Sequence, residues 1–267
     1  MPPASNLAFL SDALICPDDG AGLRASQTGL TCPACARIFP VEGQLVSLLP
    51  SAAAWEPPIT AEIEAERARR DLEAPRYDQL LGLRLLSHWE LPATLEPLRV
   101  GPEDRVVDIG CGTGRFTLPL AARCRELIAV DHSLESLRIL GRKLPASLRS
   151  SVLLVQADAT RLPIRTGWAT RATSCQMLEH LPGDGPRRAA VSEMARVLAA
   201  DGRLALSAYW HTPGLRWLLQ KEGKHSGAIY FHRFTRDELR ALLEREFQVQ
   251  SLTGRLVYVL LAHLRRR

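Results

Sequence analysis

The sequence predicts an open α/β sheet, mostly parallel, with helices on both faces and an antiparallel hairpin at its C-terminal end. Three observations predict it. From residue 104 onward, short apolar runs alternate with segments of helical spacing. A glycine-rich turn follows the first apolar run directly. Two strand-like runs follow the last helical segment with too few residues between them for a crossover.

The elements follow in order. Residues 105–109 (Arg-Val-Val-Asp-Ile) form a short apolar strand, then the glycine turn, then a helix through Phe116, Leu120 and Ala121. Residues 127–130 are the second strand, and Ser133 caps a helix carrying Leu134, Leu137 and Leu140. Residues 151–155 are the third strand and 169–176 a weaker fourth, followed by a helix with Ala190, Met194 and Val197. Residues 203–206 are the fifth strand. After a helix over 235–246, strands at 247–252 and 256–260 pair as the hairpin, giving seven strands. Strand–helix units of this size place parallel strands under two layers of helices.

Upstream, residues 1–50 read as short strands and turns punctuated by Gly20, Gly22, Gly29 and Gly43. Residues 50–58, rich in proline and alanine, read as a linker. Thr60 is placed to cap a charged helix over 61–70, whose face of alternating charge is expected to meet water. Residues 80–98 have helical spacing and cover the main sheet. The division is therefore 1–50, a small β module; 51–75, linker and charged helix; and 76–267, the main domain.

Of the 267 residues, 46% are hydrophobic and 24% charged, as in globular domains, and the net charge is +5. That balance suits an anionic partner such as RNA and equally a small-molecule enzyme. No apolar run reaches the ~20 residues that span a bilayer, and residues 1–6 lack the basic-then-apolar order of a secretory signal. The expected location is the cytoplasm, without a membrane.

A turn of this kind brings main chain against a ligand with no Cβ in the way, and the following helix start favours an anionic group. The dinucleotide fingerprint wants glycine or alanine where Arg115 stands, which argues against a nicotinamide oxidoreductase. The string Val106-Val107-Asp108-Ile109-Gly110-Cys111-Gly112-Thr113-Gly114 instead resembles the first motif of class I methyltransferases. The resemblance runs over about residues 76–260 and is similar in detail to the type 11 group. It implies a Rossmann-like fold, S-adenosylmethionine as cofactor, and roles by position. Asp108 is implied to reach the cofactor's amino group, and Gly110, Cys111, Gly112, Thr113 and Gly114 to pass beneath its methionine and ribose. A carboxylate ending the second strand, Asp131, suits two adjacent ribose hydroxyls. Its neighbour His132 is implied to lie on the adenine. Asp158 resembles the acid that accepts from the adenine amino group, with Ala159 donating from its main chain. The run 175–182, with Gln176 at its start, resembles the motif that edges the cofactor and floors the acceptor pocket. Alone, each acid reads as a cap or loop residue. Their common spacing at consecutive strand ends points to a ligand.

Methyl transfer needs an acceptor held in line, and a base only where the acceptor arrives protonated. The candidates are His180, His211, His225 and His232. The last three lie in an aromatic stretch that reads either as a lid over the acceptor or as packing on the sheet. A small-molecule acceptor is favoured. The alternatives are an rRNA or tRNA base, with the N-terminal module recognising RNA, and a non-catalytic cofactor-binding scaffold.

Cys16, Cys32 and Cys35 crowd the N-terminal module, with the short gaps of a zinc knuckle. Residues 7–50 resemble the small zinc-ribbon family associated with methyltransferase activation, and a ribbon also precedes certain rRNA guanine-N1 methyltransferases. Asp19 stands where that pattern has a fourth cysteine. A zinc ion on Cys16, Asp19, Cys32 and Cys35 and a ribbon held by packing alone are the two readings. Cys111, Cys124 and Cys175 read as small buried residues, and the terminal Arg265–Arg267 as a solvated tail.

Overall fold

The computed structural model describes residues 12–26, 29–51, 59–77, 81–215, 217–225, 229–255 and 257–267. Apolar residues in these strands point alternately to two faces, so the sheet requires cover on both. From residue 105 the strands are β5 (Arg105–Ile109), β6 (Glu126–Asp131), β7 (Val152–Gln156), β8 (Ala169–Cys175), β9 (Leu198–Tyr209), β12 (Phe247–Arg255) and β13 (Val259–Arg266). Before them come β1 (Arg24–Ser26), β2 (Gly29–Thr31), β3 (Ile38–Glu42) and β4 (Leu45–Ser47). All eleven form one sheet in the order β1-β2-β3-β4-β7-β6-β5-β8-β9-β13-β12. The pairs from β4 to β9 are parallel, and those at either end are antiparallel. A separate two-stranded hairpin joins β10 (Glu222–Lys224) to β11 (Tyr230–His232).

The helices are α1 (Ile59–Tyr77), α2 (Leu81–Leu98), α3 (Thr117–Ala121), α4 (Leu134–Lys143), α5 (Asp184–Val197) and α6 (Arg236–Leu243). One core packs Val107, Ile109, Ile128 and Val130 against Ala190 and Met194 of α5 and Leu239 and Leu243 of α6. The other packs Val106, Leu127 and Ala129 against Leu95 and Leu98 of α2, Leu120 of α3, and Leu137 and Leu140 of α4. The strand period of two thus separates neighbouring residues into opposite cores. Leu137 and Leu140 are fully buried, which contributes about 1.5–3 kcal/mol each. Ser133 caps α4 by accepting from the Ser136 amide, and Thr235 and Glu238 form a capping box on α6.

The N-terminal strands continue the main sheet. β4 pairs with β7, the Leu154 amide donates to Gln44, and the Leu48 amide donates to Gln156. Leu14, Leu23, Leu30, Phe39 and Leu48 share the first core with Val155, Leu162 and Ile164.

Several boundaries differ from the sequence reading. Thr60 lies inside α1, which extends to Tyr77, and α1 crosses a cleft instead of facing water. The fifth strand begins at Leu198, directly after α5, because a long antiparallel partner is available in β13. The last strand lies at Val259–Arg266, so the terminal arginines are not a solvated tail. Arg265 pairs with Arg203 across the sheet, and Arg266 donates to the Leu198 carbonyl. Residues 52–58 of the expected linker, 226–228 of the expected lid and Leu256 lie outside the described residues. Among the described residues, no helix is long and apolar enough to cross a membrane.

Candidate active site

β6 and β8 flank β5 on opposite sides, so the chain reverses its direction of progression there and leaves a crevice at the strand ends. The crevice is a cleft of about 170 Å3. β5 runs into a turn in which Gly110, Gly112 and Gly114 all take positive φ. The turn is drawn onto β6, since the Gly110 and Cys111 amides both donate to the Val130 carbonyl, at 2.8 and 3.0 Å. At Gly112, with φ +53°, a Cβ would meet nothing within 4 Å, so the bare main chain faces open cleft.

Asp131, at the end of β6, organises the turn. One oxygen accepts from the Gly112 amide at 2.7 Å and the other from the Ser133 amide at 2.8 Å. A carboxylate has about four lone-pair sites, so acceptor capacity remains on both oxygens for a pair of hydroxyls. His132 follows in the cleft wall, and burial holds its imidazole below the usual range and neutral. Asp158 and Ala159 line the same wall after β7, with Asp158 fixed by the amide and hydroxyl of Thr160, both at 2.8 Å.

Asp108 lies on the cleft floor, 2% exposed. Its oxygens accept from the Thr117 and Thr173 hydroxyls at 2.6 and 2.7 Å. Burial outweighs these bonds and pushes the carboxyl up to about 6. Thr113, Cys111 and Cys175 complete the floor, and burial raises both thiols well above their ordinary value. A thiolate nucleophile is therefore disfavoured.

Gln176 directly follows β8 with φ +55°, an uncommon conformation for a side-chain-bearing residue. Two bonds hold it there. Its amide donates to Ser207 at 2.9 Å, and its side chain donates to Glu90 at 2.8 Å. Glu90 also accepts from Arg115 at 2.6 Å and from the Ser207 hydroxyl at 2.5 Å, and is 6% exposed. The sequence reading missed Glu90. Its signal was a single charge within the uncharged run 85–95.

The reading also missed α1 as a wall. Glu66, Arg70, Glu73 and Ala74 line the cleft from above. Asp71 secures the helix by accepting from the Ser133 hydroxyl at 2.6 Å and the Glu135 amide at 3.0 Å, at the N-terminus of α4. Burial raises the Glu66 carboxyl.

Of the four histidine candidates, the fold brings two together. His180 lines the cleft, and its ring lies 5.6 Å from Tyr209 and 6.3 Å from His225. His225 lies 5.9 Å from Tyr209 and stacks on Phe231 at 4.5 Å. His180 Nδ1 is 2.7 Å from the Tyr230 carbonyl. A carbonyl only accepts, so Nδ1 carries the proton and Nε2 the lone pair. Burial lowers the imidazole well below its ordinary value, which keeps it neutral. His211 and His232 are placed elsewhere: His211 Nε2 meets the Leu219 carbonyl at 3.1 Å, and His232 packs on Phe234 beside Glu222.

The N-terminal cysteines converge as well. The ligand atoms of Cys16, Asp19, Cys32 and Cys35 all lie within 4.8 Å of one another. Cys16 and Cys35 sulfurs are 3.6 Å apart, and Cys32 Sγ is 3.2 Å from Asp19 Oδ2. With Zn–S near 2.3 Å and Zn–O near 2.0–2.2 Å, tetrahedral edges are about 3.8 and 3.6 Å, so the spacing fits zinc. The Ala34 and Cys35 amides both donate to Cys32 Sγ at 3.4 Å.

Residues 107–206 match the family described as a methyltransferase domain. Over 94 residues the chain is 34% identical to a 23S rRNA (uracil-C5)-methyltransferase of Stenotrophomonas maltophilia, covering 35% of this chain and 18% of that protein. Over 143 residues it is 32% identical to a demethylmenaquinone methyltransferase of Beutenbergia cavernae, covering 52% of this chain and 56% of that protein. The chain thus spans under a fifth of the one relative and about half of the other. A Burkholderia thailandensis 1,6-didemethyltoxoflavin-N1-methyltransferase, solved with S-adenosylhomocysteine, shares the fold with a TM-score of 0.57 at 18% identity. That match covers 79% of this chain and 91% of that one. Fold, glycine turn and the match over residues 107–206 together support a class I methyltransferase domain over those residues, of the class that uses S-adenosylmethionine. Residues 107–206 match the type described simply as a methyltransferase domain, and the relatives include both an rRNA and a demethylmenaquinone methyltransferase.

Proposed function

We propose that this chain transfers a methyl group from S-adenosylmethionine to a small-molecule acceptor. One observation carries the reading. The cleft ends against His180, a neutral base whose Nε2 holds the lone pair, inside a compact cluster of rings with Tyr209 and His225. That compartment, crossed by α1, suits a molecule of limited size. Arginines around it are engaged: Arg115 with Glu90, Arg70 with Glu66, and Arg187 with Asp184. A polynucleotide acceptor asks for cations left available to phosphates.

Bound S-adenosylmethionine supplies a methyl group on a positively charged sulfur, already activated for displacement. Asp131, the Gly112 main chain, His132 and Asp158 hold it, while Asp108 supports the floor. The protein's remaining task is to orient the acceptor and exclude water, which lowers the barrier by several kcal/mol. His180 takes the acceptor's proton where one must leave, and His225 borders the same space. In the N-terminal module, Cys16, Asp19, Cys32 and Cys35 are the residues to hold zinc.

The test pairs calorimetry with label transfer. Wild-type protein is expected to bind S-adenosylhomocysteine and to move label from methyl-labelled cofactor into the metabolite fraction of a cell extract. His180→Ala should keep product affinity and lose transfer by about 100-fold, the range of general-base catalysis. Label entering the RNA fraction would replace the small molecule by RNA, the reading supported by the rRNA enzyme among the relatives. No binding of S-adenosylhomocysteine would remove the proposal.

A further inference from the structure

A second cavity of about 460 Å3 lies between α2 and the β12–β13 hairpin, away from the cofactor turn. Trp89, Pro92 and Ala93 face Val259 and Leu261 across it. Trp89 is 66% exposed, an arrangement that leaves a large indole face unused in the absence of a ligand. Gly254 forms part of the opposite wall. A Cβ there would lie 2.3–2.7 Å from the Trp210 ring, so glycine lets that indole pack directly on the main chain of this wall.

The two ends of the cavity differ in charge. At the exposed end stands Arg255, whose guanidinium has no acidic partner among the described residues. At the buried end stands Glu90. Three of its roughly four lone-pair sites are filled, by Arg115, Gln176 and Ser207. One site on Oε1 remains for another donor. Arg115 and Gln176 line the cofactor cleft, so the cavity backs onto that cleft through a single side chain.

We propose that this cavity is a second small-molecule site, for a flat aromatic acid. The rings lie between Trp89 and the β13 side chains, the anionic group meets Arg255, and a hydroxyl at the far end donates to Glu90. Apolar walls supply affinity and the two polar ends fix orientation, as in other ligand pockets.

The test titrates 6-hydroxy-2-naphthoate, which carries an acid and a hydroxyl at opposite ends of a flat ring pair, into the full chain. Tryptophan quenching and calorimetry are the readouts. Wild-type protein should bind one naphthoate saturably. Ala93→Trp, which fills the cavity, and Arg255→Ala, which removes the cation, should each weaken binding at least tenfold. Both should bind S-adenosylhomocysteine within twofold of wild type, which shows that they are folded. 2-Naphthoate, lacking the hydroxyl, should bind severalfold more weakly. Absence of saturable binding to wild type, or a folded Ala93→Trp that binds equally well, overturns the site. If Ala93→Trp does not fold, unchanged binding by Arg255→Ala overturns it. A wild-type chain that binds the naphthoate but no S-adenosylhomocysteine would sink the cleft reading and leave this one standing.

Discussion

The side-chain nitrogen of Gln156 donates to the main-chain carbonyl of His132 at 3.1 Å, so the wall assigned to the adenine is held from β7. The same side chain's oxygen accepts from the Ser47 hydroxyl of β4 at 2.8 Å. Gln156 is 5% exposed. One buried amide therefore ties the N-terminal strands to the cleft wall.

Gln156→Leu is expected to weaken S-adenosylhomocysteine binding threefold to tenfold, measured by calorimetry. Leucine matches glutamine in size but takes the donor away from the His132 carbonyl, while the exposed Ser47 hydroxyl can turn to water. A buried unsatisfied group costs about 1–3 kcal/mol, spread here between stability and affinity. Unchanged affinity would show that His132 is positioned by its own strand alone.

Asp131→Ala should cost more. It removes the acceptor for the Gly112 and Ser133 amides together with the capacity left for two hydroxyls. Charge-assisted bonds of this kind contribute roughly 1.5–3 kcal/mol each, so affinity should fall at least 100-fold. Asp158→Ala, whose two bonds go to Thr160 in its own loop and do not hold the glycine turn, should lose less.

Purified protein should carry one zinc per chain by elemental analysis. Cys32→Ser should release it, whereas Asp19→Cys should retain it more tightly, since thiolate is the softer ligand. Arg161 donates to the Asp18 carbonyl at 2.7 Å, and Ile15 to the Pro163 carbonyl at 3.0 Å. Chelation should therefore lower the melting temperature of the entire chain and not of the module alone.

Glu179 is fully buried, and among the described residues neither carboxylate oxygen has a hydrogen-bond partner. Burial pushes its carboxyl up to about 8. The sign follows from that upward displacement. Its contribution to stability is full below the unfolded carboxyl value and is lost as pH rises through the folded one. Glu179→Gln removes the titration. Its advantage over wild type should be near zero at about pH 4 and grow by about 1.4 kcal/mol per pH unit until about pH 8. That corresponds to a melting temperature roughly 10 °C or more above wild type at pH 8. A pH-independent difference would refute a buried, titrating carboxyl.

Local signals carried much of the architecture. The apolar run 105–109, the glycines behind it and the Ser133 cap each satisfy a short-range rule, and all three appear at those positions. The spacing of Asp108, Asp131 and Asp158 at consecutive strand ends followed from the same repeating unit, and all three line one cleft. Strand and helix ends were harder to place. β9 grew to twelve residues because β13 was there to pair with it, and the last strand shifted to Val259–Arg266 for the same reason.

By itself, the sequence determined the parallel strands from residue 105, the turn and the acids, because period, steric freedom and capping act within a few residues, but not that β1–β4 would extend the same sheet. The folded chain alone decided that Glu90, 86 positions before Gln176, would brace it. It alone laid the charged helix α1 over the cleft and placed His180 and His225, not His211 and His232, in one cluster of rings. Those choices depend on how separate elements pack. Complementary charge, burial and ring contact arise only when distant segments meet, and no local pattern encodes which ones will.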